Sequence, residues 1–199
     1  MKHYFLTAKN VGDLTAILCA ALEANQTKSA PMLGRVMARF RSSGRRSLSE
    51  SDDFVVDNNR INITKPDVFS REPINLIRIF HLAQKHSLAF HPDAMRTATR
   101  SLKLIDRKLR ADPEANRLFF EILNSQNDVE TVLRRMNEAG VLGTFVRAFG
   151  RVVAMMQFNM YHHYTVDEHL IRCMGVIAEI ESGNNEEYGL SNEIVRKLS

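Results

Sequence analysis

The sequence predicts a mainly α fold, a compact multi-helix domain carrying one small β-hairpin at about residues 53–63. Three observations point there. Apolar residues recur at helical spacing from Val11 onward. Prolines and capping residues open several segments after Pro73. A single stretch, "FVVDNNRINI", alternates as a strand does.

In chain order, "VGDLTAILCAALEAN" sets Val11, Leu14, Ile17, Leu18 and Leu22 on one face of an amphipathic helix. Periodicity then dissolves into Ser, Gly and Arg, which predicts a loop over 30–51. In the hairpin, Asn58 and Asn59 take the turn because Asn tolerates positive φ. That register pairs Asp57 with Arg60, Val56 with Ile61 and Phe54 with Ile63. Phe54, Val56, Ile61 and Ile63 then share one apolar face, and since an isolated hairpin is marginal in water this face should lie on helices.

Pro73, Pro92 and Pro113 each suit the first turn of a helix, with Asp112 as an N-cap. "NDVE" (Asn127, Glu130) and "TVDE" (Thr165, Glu168) have the spacing of capping boxes. The apolar stripes are Ile74, Ile77 and Leu82; Met95, Leu102 and Leu109; Leu118, Ile122 and Leu123; and Val129, Leu133 and Met136. No fixed repeat period recurs, which argues against a solenoid.

The chain of 199 residues is 44% hydrophobic, enough for a core and unlike a disordered tail. No apolar run is long enough to span a bilayer, and the N-terminus lacks a secretory pattern. Two cysteines, Cys19 and Cys173, build no disulfide framework and fit a reducing cytoplasm. The net charge of +4 is concentrated at Arg35, Arg39, Arg41, Arg45 and Arg46, with "ESDD" close behind. Only Phe40 interleaves these arginines, so a solvated loop is expected there and no nucleic-acid site.

Phosphate-cradling glycine loops, HExxH, CxxC and GxSxG are absent. Met155, Met156 and Met160 read as core filler. His3, His81, His86 and His91 stand singly, as helix-end or surface residues. The notable stretch is "FNMYHHYTVDEHLIRC", with three of the seven histidines. With Thr165 as cap, Glu168, Arg172 and Glu179 form a polar stripe. Val166, Leu170, Cys173 and Ile177 form the opposite, apolar one. His169 falls between them, one turn before Cys173, where it can lean into a buried seam. His162 and His163 precede the cap and receive no role. Spacing alone leaves His169 open as a helix-start histidine or a ligand, because a metal centre needs three or four converging donors.

"YFLTAKNVGDLTAILCAALE", "DNNRINITKPDVFSREPINLIRIFHLAQKHSLAFHPDAMR" and "RRMNEAGVLGTFVRAFGRVVAMMQFNMYHHYTVDEHLIR" resemble the bacterial PII uridylyltransferase/uridylyl-removing enzymes. The likeness weakens in the Arg/Ser loop and after Glu181. It implies a cytoplasmic, multifunctional enzyme of nitrogen assimilation. Such an enzyme transfers UMP from UTP to the PII signal protein and removes it again in an HD-type phosphohydrolase domain, under control of glutamine. The resemblance further implies that residues 1–157 are the helical domain following the nucleotidyltransferase palm. Residues 158–199 would then be the first part of the HD domain. His169 matches the first metal ligand of that domain.

The palm's Gly-Ser loop and paired aspartates, which hold Mg²⁺ or Mn²⁺, have no match here, and no His-Asp dipeptide occurs. The chain is therefore expected to be a central fragment, inactive alone, with no catalytic residue of its own, an incomplete site at His169 and no tightly bound metal. "HLIRCMGVIAEI" is apolar over much of its circumference, so self-association through an uncovered helix is also expected. The alternative is a stand-alone helical protein-interaction module without catalysis.

Overall fold

The computed structural model describes residues 46–155 and 164–198, together with ten helical positions between Tyr4 and Leu22. The fold starts from the hairpin. Strand β2 (Ser51–Asp57) pairs antiparallel with β3 (Arg60–Ile63) in the expected register, Phe54 opposite Ile63, Val56 opposite Ile61 and Asp57 opposite Arg60. Asn58 and Asn59 turn the chain with φ of 50° and 61°. Phe54 and Ile61 are fully buried, Ile63 nearly so, and Val56 packs at the edge of the core.

The sequence predicted a single hairpin, and the structure adds a further strand on each side of it. Strand β1 (Arg46–Leu48) pairs with β2 across an irregularity at Ser47/Leu48, and β4 (Ala89–Phe90) pairs parallel with β3, giving a four-stranded sheet in the order β1-β2-β3-β4. The end of the expected 30–51 loop is thus strand and turn. Arg35, Arg39, Arg41 and Arg45 lie outside the described residues. Three-residue and two-residue strands carry almost no periodicity, and it is the ladder that makes them: Ala89 N–H donates to Asn59 O (3.2 Å) and His91 N–H to Ile61 O (2.9 Å).

Two helices make the crossover that a parallel pair requires: α1 (Val68–Arg71) and α2 (Asn75–Lys85). Pro73 stands two residues before α2, not within its first turn, and its carbonyl accepts from Leu76 N–H (3.0 Å). The Asp53 carboxylate ties β2 to this segment by accepting from Arg71 and from Asn75 Nδ2 (2.8 Å for the latter). Helix α2 is the spine of the core: Leu76, Ile77, Ile79 and Phe80 are essentially inaccessible. A large apolar side chain so buried contributes about 1.5–3 kcal/mol.

Helices α3 (Pro92–Arg100), α4 (Arg107–Ala111) and α5 (Pro113–Leu123) follow. Pro92 and Pro113 occupy first turns as expected, and Asp112 caps α5 by accepting from Ala115 N–H at 2.9 Å. The expected Met95/Leu102/Leu109 stripe is spread over α3, a 3₁₀ turn at Leu102–Leu104, and α4. Helix α6 (Val129–Glu138) buries Val129, Leu133 and Met136, as read from the sequence. Its cap lies one residue later than expected: Asp128, not Asn127, accepts from Thr131 N–H at 3.2 Å.

Helices α7 (Val141–Phe145) and α8 (Arg147–Val152) cross where a glycine is needed on each side. A Cβ at Gly150 would stand 2.3 Å from the Gly143 carbonyl oxygen. The chain ends in α9 (Val166–Ser182) and α10 (Gly189–Leu198). At the other end, Val11, Leu14, Leu18 and Leu22 are helical and exposed, and Ile17 lies outside the described residues. No helix among the described residues is long and apolar enough to cross a membrane.

Candidate functional site

The start of α9 carries the residues that the sequence singled out. Thr165 occupies the cap position, but its side chain makes no capping bond, and its backbone carbonyl accepts from His169 N–H at 2.9 Å. Glu168, the other half of the expected box, turns instead to Arg134 on α6. Arg134 Nε lies 3.1 Å from Glu168 Oε1, and Nη2 also reaches Glu130 Oε1 at 2.7 Å. The Glu168 contact first, then Glu130, holds the guanidinium yet more firmly in its charged form than usual. A full charge carried from another helix outcompetes a weak backbone donor for that carboxylate.

Asp167 is 2% exposed. Its Oδ2 accepts from Asn137 Nδ2 at 2.9 Å and its Oδ1 from Ala154 N–H at 3.1 Å. Ala154 holds a φ of 54°, and Val166 N–H closes the corner on Met155 O at 2.8 Å. A buried carboxylate is tolerable only when its oxygens find donors, and these two do. Sequence spacing alone missed this residue. The available signal was Asp167 at the head of an i, i+4, i+7, i+11 series with Ile171, Met174 and Ala178.

That series is the inward face of α9. Ile171 is 1% exposed, and Met174 and Ala178 pack against the core. The expected apolar stripe faces outward instead: Leu170 is 42% exposed and Ile177 47%. The reason lies on α6. A Cβ at Gly175 would come 2.3 Å from Glu130 Oε2 and 3.1 Å from Glu130 Cβ, so only glycine lets the two helices approach this closely. With apolar residues around most of α9, the docking contacts chose the face.

His169 is correspondingly exposed and does not lean into a buried seam. Its Nε2 lies 3.8 Å from the half-exposed Cys173 Sγ. Beside it, the Arg172 guanidinium stacks 4.6 Å from the Tyr164 ring centroid. Among the described residues, no group of three His, Cys, Asp or Glu side chains stands ready to hold a metal ion. His162, His163, Met156 and Met160 lie outside the described residues, while Met155 is 39% exposed and so does not fill the core.

The other histidines have structural partners. His91 caps α3, its Nδ1 accepting from Asp93 N–H at 3.2 Å. His86 closes α2 and meets Glu50 at 3.2 Å. His81 reaches Glu121 on α5 at 2.9 Å, and its burial holds it below the usual imidazole pKa despite that carboxylate. His3 lies outside the described residues.

A cavity of about 620 Å³ opens elsewhere, between Leu88, Phe90, Met95 and Val132, with Arg60 and Thr131 on its wall. No residue of α9 lines it.

Residues 54–145 match the family described as uridylyltransferase GlnD third domain. Over all 199 residues the chain is 67% identical to a protein of Nitrobacter hamburgensis, 68% to one of Rhodopseudomonas palustris and 66% to one of a Bradyrhizobium strain. Each is named bifunctional uridylyltransferase/uridylyl-removing enzyme. The chain spans about a fifth of these relatives' length, 21% in each case. No solved structure matches it.

Proposed function

We propose, from the match of residues 54–145 to the family described as uridylyltransferase GlnD third domain, that this chain serves a bifunctional uridylyltransferase/uridylyl-removing enzyme. The observation that carries this reading is an overall identity of about two thirds across all 199 residues to relatives bearing that name. In this reading the protein carrying the chain transfers UMP from UTP to the PII signal protein and hydrolyses it off again, with glutamine as the signal. Residues 1–157 form the helical domain beside the transferase palm, where Mg²⁺ or Mn²⁺ serves the triphosphate, and the chain by itself is inactive.

Residues 158–199 begin an HD-type phosphohydrolase domain, with His169 as its first metal ligand. A divalent metal held there by His169 and further ligands would supply activated water for cleaving the UMP phosphodiester. This chain's own part is to present the imidazole outward from a helix tied to α6. Asp167 and Glu168, adjacent to His169, anchor α9 to α6 through Asn137 and Arg134. They position the ligand and leave the metal to donors from elsewhere.

His169→Ala, placed in the intact enzyme, should abolish removal of UMP from modified PII and leave its transfer largely intact. Equal loss of both activities would sink the ligand role.

A second reading, a stand-alone interaction module, is favoured by one feature. Leu170, Ile177, Leu190 and Ile194 are exposed on α9 and α10. The same surface supports self-association of the isolated chain, which sedimentation over a concentration series would detect.

A further inference from the structure

We propose that the cavity beside β4 is a binding site for a small monocarboxylate with an apolar body, its carboxylate held by Arg60. The cavity encloses about 620 Å³, within the roughly 300–1,000 Å³ of small-molecule sites. Leu88, Phe90, Met95 and Val132 give it apolar walls, and Arg60 stands among them.

The case rests on what Arg60 lacks. The half-buried arginines of the described residues are Arg60, Arg78, Arg96, Arg110 and Arg134. Arg78 meets Glu72 and Asn75, Arg96 meets Asp93, Arg110 meets the Ile105 carbonyl, and Arg134 meets Glu130 and Glu168. The Arg60 guanidinium alone has no such oxygen among the described residues. Asp57, opposite it in the hairpin, accepts from Asn58 Nδ2 at 3.0 Å instead. A cation drawn partly out of water and left unpaired is costly, and a carboxylate entering the cavity supplies the missing partner.

The backbone offers a second donor. Ala89 and His91 give their N–H groups to Asn59 and Ile61 on β3. The Phe90 N–H between them therefore points to the free edge of the sheet. No acceptor meets it among the described residues. The carboxylates on the wall are engaged, Asp128 with Thr131 N–H and Glu138 with Arg135 at 2.7 Å. One unpaired cation matches one negative charge, and a ligand with several would set the rest against apolar walls and these two acids. The guanidinium fork receives both carboxylate oxygens, which the neutral amide of the same shape cannot match.

No residue of α9 lines this cavity, so the inference stands apart from the enzyme reading. The probe is phenylacetate, with phenylacetamide as its neutral counterpart, added to the isotope-labelled 199-residue chain and followed by amide NMR. We expect saturable shifts at the Phe90 and Thr131 amides, with Kd at or below about 1 mM. Phenylacetamide should bind at least about tenfold more weakly. Arg60→Gln should weaken the acid by at least about tenfold and leave the amide within about twofold.

Absence of saturable shifts, equal affinity for acid and amide, or shifts at Leu170 and Ile177 in place of Phe90 would overturn the site. So would unchanged acid affinity in Arg60→Gln, whose amide spectrum also shows whether it is folded. The comparison of acid with amide uses the unsubstituted chain and decides the matter even if the variant does not fold. None of these outcomes touches the proposed enzyme function, which His169→Ala in the intact enzyme tests by its ratio of removal to transfer.

Discussion

Asp167 and Asn137 meet in the interior, carboxylate Oδ2 to amide Nδ2 at 2.9 Å, with exposures of 2% and 6%. They join residues 30 positions apart, and with the Ala154 N–H they fix where α9 leaves the body of the protein. Asp167→Ala removes the acceptor that both buried donors share. Hydrogen bonds to a charged group contribute about 1.5–3 kcal/mol each in such settings, and part of that returns if water enters. The expected loss is about 2–4 kcal/mol, read as a fall of several degrees in melting temperature. An unchanged melting temperature would remove Asp167 from the docking account.

Gly175→Ala sets two effects against each other. Alanine in a helix interior is favoured over glycine by about 1 kcal/mol. Against this, the new Cβ would meet the Glu130 side chain at 2.3 and 3.1 Å, and overpacking costs about 1–3 kcal/mol. The clash should win, with net destabilisation of about 1 kcal/mol. In a Glu130→Ala background the obstruction is gone and the same change should become stabilising. Denaturant melts of the four proteins in this cycle measure the coupling directly, and additivity would count against close contact of α6 and α9 at this point.

Gly150→Ala should be more severe. Its Cβ would collide with backbone, the Gly143 carbonyl at 2.3 Å, and backbone cannot swing aside as a glutamate can. A loss of about 2–3 kcal/mol is expected. Hydrogen exchange should show α7 and α8 opening first, and protection equal to that of the unsubstituted protein would disprove the close crossing.

Acid should weaken the fold partly through His81. Burial holds its folded-state pKa below 6.5, and the Glu121 carboxylate only partly offsets this. Between the lowered value and 6.5 the unfolded chain binds more protons than the folded one, so stability falls as pH falls. The contribution is fully present above the unfolded pKa and is lost on acidification through this window. His81→Gln should flatten the decline in melting temperature between about pH 7.5 and about pH 5.5. An identical slope in both proteins would remove His81 from the acid response.

The hairpin was legible because a two-residue Asn-Asn turn and strand alternation are local rules, and they gave the pairing of Phe54 with Ile63 to the residue. Pro92, Asp112 and Pro113 were legible for the same reason, since a cap concerns only the next few backbone amides. Capping by Asn127 and Glu168 failed where another group competed: Asp128 took the first cap, and Arg134 drew Glu168 away from the second. Strands β1 and β4 were not legible, because strands this short exist only through their partners.

At α9 the division is sharpest. The sequence by itself determined that a helix begins after Thr165 and that His169 and Cys173 share a turn of it, because 3.6-residue periodicity is a property of the segment. Which side faces inward was decided only by the tertiary structure. Apolar residues surround most of this helix, so periodicity offers several faces of similar worth. The choice fell to contacts with α6: the Asp167–Asn137 bond, the Glu168–Arg134 pair and the one glycine that lets the helices touch. Those contacts turned Ile171 inward and left His169 and Cys173 facing out.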